Sequence, residues 1–302
     1  MENHKGKEAH KGKCALCDAE NIELKKSHFI PKFVYDWLKS TSKTGYIRGS
    51  DDVNARLQDG PKDYLLCGKC EGELSTMEKE VADNLFKKLA NYRSQPSTII
   101  ITESMRVGIL SIFWRALLIM RNKENNRTEE DNAAYDSLLF SLKNQINNKK
   151  CNTIIYFTPF IKTPPYYGLP SEYTYNLERS VGGQDIRFYD EPHRFFATFK
   201  LPFVYFYIFS SGWEESEIKK STELNEGEIT LDSIIDIPDT LRNYIKHMHE
   251  QFEQARTQMS QKNLDKIEKD MKKNTKITGS DKSMSRMIGP DIQKQNSSEK
   301  EK

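Results

Sequence analysis

The chain has 302 residues, of which 36% are hydrophobic and 30% charged, and its formal net charge is +2 at pH 7. This length allows a core of ordinary size, and the near balance of charge argues against a protein that coats nucleic acid through general positive charge. The longest apolar stretch, residues 107–120, contains Arg115 and is too short to cross a bilayer, and residues 1–13 lack the apolar region of a secretory signal. We therefore expect a cytoplasmic protein without membrane contact.

The first part of the chain is predicted to fold around two cysteine pairs. Residues 1–13 are expected to be a flexible lead, followed by an extended piece over 22–29. A helix is predicted from Pro31, because the first helical turn does not need the amide donor that proline lacks. Residues 46–60 form a long polar loop in this prediction, and 71–92 form a second helix with an apolar stripe along one side. Long loops in compact domains are usually functional.

The later part of the chain changes from helical to sheet-like character. Two helices are predicted first: one over 104–123 that is apolar around most of its circumference and should lie in the centre of the fold, and one over 132–147 with a buried apolar stripe. Runs of β-branched and aromatic residues with Pro and Gly between them then predict an antiparallel sheet, with strands over 153–160, 173–177, 186–189 and 195–209. A helix returns at 238–254. From Arg256 to the end there are twelve Lys or Arg, seven Asp or Glu and no aromatic residue, so we predict a largely disordered basic tail.

The two cysteine pairs have the spacing of zinc knuckles. Cys14 and Cys17 are separated from Cys67 and Cys70 by 49 intervening residues, and each pair can turn back so that both thiolates face one point. Together they complete a tetrahedral four-sulfur shell, in which zinc is structural because no position is left for substrate. A redox dithiol would explain one pair and leave the other without a role. The sequence therefore predicts a structural Zn²⁺ site.

Between the knuckles lies the sequence Ser27-His28-Phe29-Ile30-Pro31, and the second knuckle stands in Leu66-Cys67-Gly68-Lys69-Cys70-Glu71. Over about residues 14–80 the sequence resembles the HNH, or ββα-metal, nuclease family. The shared order is a knuckle, then a His in a His-x-Ile-Pro context, then Leu-Cys-x-x-Cys before a helix. The resemblance implies phosphodiester hydrolysis, with His28 as the general base and Glu71 where the family often has a metal-binding His. It also implies a catalytic Mg²⁺ or Mn²⁺ beside the structural zinc.

Three positions differ from the family pattern. Ser27 precedes the base where the family often has Asp or His, Glu71 replaces the last His, and no Asn lies shortly before Cys67, where Asp59 or Asp63 would have to substitute. Mg²⁺ accepts carboxylates, so Glu71 with one Asp still forms a conceivable ligand set. The alternative is a structural His28 that donates to a backbone carbonyl.

These observations predict an α+β protein with a zinc-stapled ββα unit, a helical segment, an antiparallel sheet and a disordered basic tail. The expected division is a lead at 1–13, an HNH-like domain at 14–95, a helical and sheet domain at 96–255, and a tail at 256–302. The leading functional hypothesis is a metal-dependent endonuclease that acts on DNA rather than RNA. By analogy, such a module joined to a larger sensing part resembles bacterial or phage-conflict effectors in antiviral defence.

Five basic residues are predicted to contact nucleic-acid phosphates because they surround the HNH-like unit: Lys25, Lys26, Arg48, Arg56 and Lys62. The main alternative function is a non-catalytic zinc finger that binds nucleic acid or a protein partner. A third is a purely structural zinc staple in a protein that binds a protein partner through its C-terminal half, residues 150–255.

Overall fold

The computed structural model describes residues 10–122, 127–189 and 194–300, with side chains up to residue 289. The chain is an α+β protein with antiparallel sheets. Its first unit is a three-stranded antiparallel sheet in the order β1 (Lys11–Gly12), β2 (Ile22–His28), β3 (Lys62–Cys67). Strand β1 lies in the predicted lead, and residues 1–9 fall outside the described part of the chain.

Two helices complete this first unit. Helix α1 (Lys32–Ser40) follows Pro31 as predicted and buries Val34, Tyr35 and Leu38, which are spaced for one helical face. Helix α2 (Gly68–Val81) begins directly after β3 and continues through a π-helical segment (Ala82–Phe86) into α3 (Lys87–Leu89). The predicted helix at 71–92 is thus observed as one nearly continuous helical run.

The centre of the molecule is helical. After strand β4 (Thr98–Ile101), the apolar helix α4 (Glu103–Arg121) is buried along most of its length and contacts α2. Gly108 permits this approach, because a Cβ there would lie 3.1 Å from a Val81 methyl carbon and 3.2 Å from the Met77 carbonyl oxygen. Helix α5 (Glu129–Asn147) also packs against α4.

A five-stranded antiparallel sheet follows, and the aromatic runs supply its core. Its order is β6 (Gly182–Phe188), β7 (Phe195–Leu201), β8 (Val204–Phe209), β5 (Tyr156–Pro159), β9 (Thr222–Glu223). The predicted strand 195–209 is a hairpin, β7 and β8, which turns at Phe203 with φ 68°. Three short 3₁₀ helices also lie in this region: Tyr166–Gly168, Ser171–Tyr173 and Leu231–Ser233. Helix α7 covers Glu215–Lys219, and strand β10 (Gly227–Thr230) pairs with β4.

One predicted strand is wrong. Residues 173–177 form no strand, because helix α6 (Thr174–Arg179) begins there. Tyr173 and Leu177 are four residues apart and both buried, which suits one face of a helix. Tertiary packing therefore overrides the β-propensity of the Tyr-Thr-Tyr sequence.

Part of the C-terminal segment, for which the sequence predicts a largely disordered tail, is helical in the structure. After helix α8 (Asp239–Thr257), residues of that segment form α9 (Gln261–Lys273) and α10 (Gly279–Lys300). Helix α10 packs on α6, where Ser283 is fully buried and donates to the Glu178 carboxylate at 2.6 Å. The segment is ordered by polar contacts with a distant part of the chain, which its low hydrophobicity does not reveal.

One cluster of buried apolar side chains includes the cysteine knuckles, α4 and the inner face of the five-stranded sheet, so it crosses the predicted boundary at residue 95. In the described part of the chain, no helix is both long enough and apolar enough to cross a membrane.

Candidate functional site

The four knuckle cysteines converge on one point. The sulfur atoms of Cys14, Cys17, Cys67 and Cys70 all lie within 4.8 Å of one another, and the Cys17 and Cys67 sulfurs are 3.9 Å apart. A tetrahedral zinc shell with Zn–S bonds of about 2.3 Å has sulfur separations of about 3.8 Å. All four cysteines are free of disulfides. The cluster therefore fits a structural metal ion such as Zn²⁺.

Local hydrogen bonds shape each knuckle. The first closes because the Cys14 amide donates to the Ala19 carbonyl at 2.9 Å, and the Ala15 amide donates to Leu65 on β3 at 2.9 Å. The second lies where β3 ends and α2 begins, and the Cys67 amide donates to the Cys14 sulfur at 3.3 Å. The metal would therefore tie both knuckles to the β2–β3 sheet.

The electrostatics of the cluster favour a bound cation. Burial raises the pKa of the Cys14 thiol, but backbone donors of Cys17, Cys67 and Leu16 outweigh it and lower the pKa to about 7. Burial, followed by the neighbouring cysteines, raises the pKa of Cys70. Four adjacent thiolates repel one another, so a metal ion is needed to keep all of them deprotonated.

A second polar cluster lies where β2 ends. The Nε2 atom of His28 is 2.7 Å from Oδ1 of Asp59, in the loop before β3, and the other Asp59 oxygen pairs with Lys62 at 2.6 Å. Burial opposes ionisation of Asp59, but hydrogen bonds from Lys62 and His28 hold the pKa of its carboxyl well below its usual range. The result is an ionised carboxylate that orients the imidazole, so the partner of His28 is not the backbone carbonyl of the structural alternative.

The loop before β3 places this carboxylate through a close contact with an aromatic ring. The Tyr35 ring of α1 stacks on His28 with centroids 5.8 Å apart. A Cβ at Gly60 would lie only 2.0 Å from the Tyr35 ring, so Gly60 lets the loop pass directly over it. The Gly60 amide donates to Asp59 Oδ1 at 2.9 Å and helps fix the carboxylate.

A buried ion pair lies behind His28. Arg115 of α4 is only 2% exposed, donates to the His28 carbonyl at 2.9 Å and pairs with Glu78 of α2. Glu78 also lies close enough to Glu71 and His28 for their charges to affect its pKa, which burial raises despite Arg115. The segment that carries His28 is thus held from the helical side as well as from the sheet.

Glu71 has a different partner from the one its predicted role requires. It lies in the first turn of α2, and its Oε2 accepts a hydrogen bond from the buried Ser27 hydroxyl at 2.6 Å. Among the described residues, the four cysteines are the only group of three or more His, Cys, Asp or Glu side chains close enough together to hold a metal ion. His28, Asp59 and Glu71 therefore do not assemble a hard-cation shell in this structure.

The five predicted phosphate contacts fall into two places. Lys25 and Lys26 are exposed on β2, where Lys25 pairs with Glu23, and Lys62 lies opposite His28 on β3. Arg48 and Arg56 lie instead beside α9. Arg48 donates to the side chain of Asn263 at 3.0 Å, and Arg56 lines a pocket together with residues of that helix.

Two members of the His28 cluster, Glu78 and Arg115, were absent from the predicted site. The sequence carries signals for both. Arg115 is the only charge in the apolar stretch 107–120, and Glu78 follows Glu71 by seven residues, which places both on one face of a helix.

Comparisons with protein-family models, curated proteins and solved structures gave no match.

Proposed function

We propose that the metal-stapled unit at residues 14–95 is a hydrolase module that cleaves phosphodiester bonds of nucleic acid, with DNA as the first substrate to test. The observation that carries the proposal is the hydrogen bond between His28 Nε2 and the ionised Asp59 carboxylate. A carboxylate in this position selects the imidazole tautomer and stabilises the imidazolium that forms when the base accepts a proton.

The dyad supplies a base at an accessible atom. With Nε2–H donating to Asp59, the lone pair of His28 lies on Nδ1. That atom has no hydrogen-bond partner among the described residues and is not among the fully buried polar atoms, so water can reach it. Histidine exchanges protons near neutral pH, and general base catalysis of this kind contributes about 10² to 10⁴-fold to a rate.

Cationic side chains around the dyad suit an anionic substrate. Lys25 and Lys26 extend from β2 into solvent, and Lys62 lies beside Asp59 with its side chain 31% exposed. A phosphate approaching His28 would meet these charges, which position the backbone and favour the extra negative charge of the transition state.

A catalytic Mg²⁺ or Mn²⁺, as the family resemblance implies, would take its ligands from Glu71 and Asp59. Glu71 accepts from Ser27, and Asp59 is shared between His28 and Lys62, so the two carboxylates are engaged separately. The residues present do not fit that ion, and no step of the proposed reaction is assigned to it.

The separate engagement of Glu71 and Asp59 favours a second candidate, a zinc finger that binds nucleic acid or a protein without cleaving it. In that case His28 and Asp59 orient the loop at 46–60 for binding only. The cytoplasmic location, a role in phage conflict and a protein partner for the C-terminal half stay predictions from the sequence.

Plasmid nicking separates the two candidates. Zinc-loaded wild type, His28→Ala, Asp59→Asn and the control His247→Ala, which removes a histidine on α8, are compared with no added metal, with Mg²⁺ and with Mn²⁺. The hydrolase predicts nicking by wild type and His247→Ala, with losses of about 10²-fold or more in the two dyad variants. Intact plasmid in every arm, together with salt-sensitive DNA binding, would establish the second candidate instead.

A further inference from the structure

An open pocket of about 420 Å³ lies between helix α9 and the segment after α1. Its wall carries four basic residues, Lys43, Arg56, Lys266 and Lys273, against a single carboxylate, that of Asp270. We call it the basic pocket. Half of it belongs to the metal-stapled unit and half to the segment that the sequence predicts to be disordered.

Two of the four positive charges are left without a direct partner. Lys266 pairs with Asp270, and Lys43 pairs with Asp281 at 3.1 Å. Arg56 and Lys273 form neither a hydrogen bond nor an ion pair with any residue that the structure describes. Both still lie close enough to Asp270 to lower the pKa of its carboxyl, behind the larger effect of the Lys266 hydrogen bond. The pocket thus concentrates positive charge that its own residues do not neutralise.

Tyr46 adds an unused polar group to the pocket wall. Its hydroxyl is buried and has no hydrogen-bond partner within the described part of the chain. A buried donor without an acceptor is costly and rare in native structures. The ring is held in place by Arg48, whose guanidinium carbon lies 5.2 Å from the ring centroid.

Hydrogen bonds of Asn54 dock the start of helix α9 at the pocket. The Asn54 side chain accepts from the Ser260 amide at 2.8 Å and from the Asn263 side chain at 3.0 Å, and it donates to the Gln258 carbonyl at 3.1 Å. No residue of α9 is buried. An anion bound between Arg56 and Lys273 would therefore add an attractive contact across a junction in which no α9 residue is fully buried.

We propose that the basic pocket binds a phosphate group of a nucleic acid chain, with Arg56 and Lys273 as the phosphate-binding residues. The proposal deepens the proposed function and rests on nucleic acid being the substrate. The open shape favours a chain that passes through over a small metabolite, because small-molecule sites bury most of their ligand.

The chain connectivity supports this assignment. Arg56 and Asp59 are three residues apart, so their Cα atoms are separated by no more than about 11 Å. Because duplex DNA rises about 3.4 Å per base pair, a backbone held at the pocket passes the His28–Asp59 dyad within a few nucleotides.

Salt-dependent binding of a labelled oligonucleotide, duplex and single-stranded, tests the proposal. The full-length, zinc-loaded protein carries His28→Ala so that the probe is not consumed, and no divalent metal is added. Arg56→Gln/Lys273→Gln is compared with Lys262→Gln/Lys269→Gln, which removes the same charge from exposed positions of α9 outside the pocket. The slope of log Kd against log salt should fall by about 1 to 2 in the pocket variant and much less in the control.

Three results would overturn the proposal. The first is an equal change in slope for the pocket and control variants. The second is weak binding by Arg56→Lys/Lys273→Arg, which keeps both charges and should bind like the parent protein. The third is loss of binding to a free mononucleotide with no loss of binding to the oligonucleotide, which would assign the pocket to a small phosphorylated ligand.

Nicking is measured separately on protein with an intact dyad. If the protein does not nick plasmid but the pocket variant changes the slope of log Kd against log salt, only the hydrolase proposal is refuted. If the protein nicks plasmid but the pocket variant leaves that slope unchanged, only the pocket proposal is refuted.

Discussion

Replacement of Arg115 by Met should destabilise the protein more than its single charge suggests. The guanidinium is 2% exposed and serves three acceptors: the Glu78 carboxylate, the Ser111 carbonyl at 3.2 Å and the His28 carbonyl at 2.9 Å. Methionine fills a similar volume but donates no hydrogen bond. The variant therefore leaves a largely buried carboxylate without its cation and two carbonyls without this donor.

The magnitude follows from the buried carboxylate. Removing one partner of a buried ion pair costs about 3 to 5 kcal/mol. Burial already raises the pKa of Glu78 with Arg115 present, and without Arg115 it rises further. Protonation then relieves part of the cost, so we expect ~3 kcal/mol at pH 7 and less at pH 5. In a chain of this size ~3 kcal/mol corresponds to a fall in Tm of about 5 °C.

Thermal and urea unfolding at pH 7 and pH 5 measure this effect. The control is Lys79→Met on α2, which breaks a pair with Asp83 in which Lys79 is 78% exposed, and which should leave Tm and the urea midpoint almost unchanged because solvent screens such a pair. Glu78→Met/Arg115→Met should regain much of the loss, because removing both charges leaves neither unpaired. A loss below about 1 kcal/mol in Arg115→Met, or a larger loss at pH 5 than at pH 7, would refute the reasoning.

Three further predictions concern other parts of the chain. Cys14→Ser should lower the zinc content of freshly purified, reduced protein and unfold the first unit, because the binding energy of a structural zinc is folding energy. Elemental analysis that finds less than about half an equivalent of metal in wild type would contradict the metal site. Gly60→Ala should cost about 1 to 3 kcal/mol, since its Cβ would overlap the Tyr35 ring, and an unchanged Tm would show that the loop yields freely. Burial raises the pKa of Glu178 above its ordinary 4.5, so its contribution to stability is present below pH 4.5 and is lost as pH rises through the folded-state pKa. Wild type should therefore lose stability relative to Glu178→Gln above pH 4.5. Parallel curves of Tm against pH for the two proteins would contradict this.

Local patterns account for the elements that the sequence predicted well. The knuckles have fixed short spacings, and the helix after Pro31 has a start signal and an apolar face within one short segment. Helix α4 combines a long apolar run with a capping threonine, Thr102, whose side chain accepts from the Met105 amide. Each of these features is decided by neighbouring residues, so one sequence was enough to locate them.

Long-range contacts decide the features that the sequence did not predict. Helix α10 is ordered by Glu178, more than 100 residues earlier, which accepts from Ser283 and pairs with Arg286. A local signal was nevertheless present, because the Asp281 side chain accepts from the Thr278 amide in the manner of a capping box. The pairing of His28 with Asp59 rather than Glu71 depends on the path of the loop at 46–60, and spacing along the chain does not determine that path.

The two ends of the proposed dyad are held by different means. The His28 backbone is fixed by its pairing with Lys62 on β3 and by Arg115 from α4, so it belongs to the rigid part of the molecule. Asp59 lies in a loop, where Lys62 and the Gly60 amide hold the carboxylate. The same loop carries Arg56 and, at Asn54, the hydrogen bonds that dock α9. In the proposed function, a nucleic acid bound at the basic pocket would restrain the loop that orients the base, so substrate binding and alignment of the dyad depend on one segment of the chain.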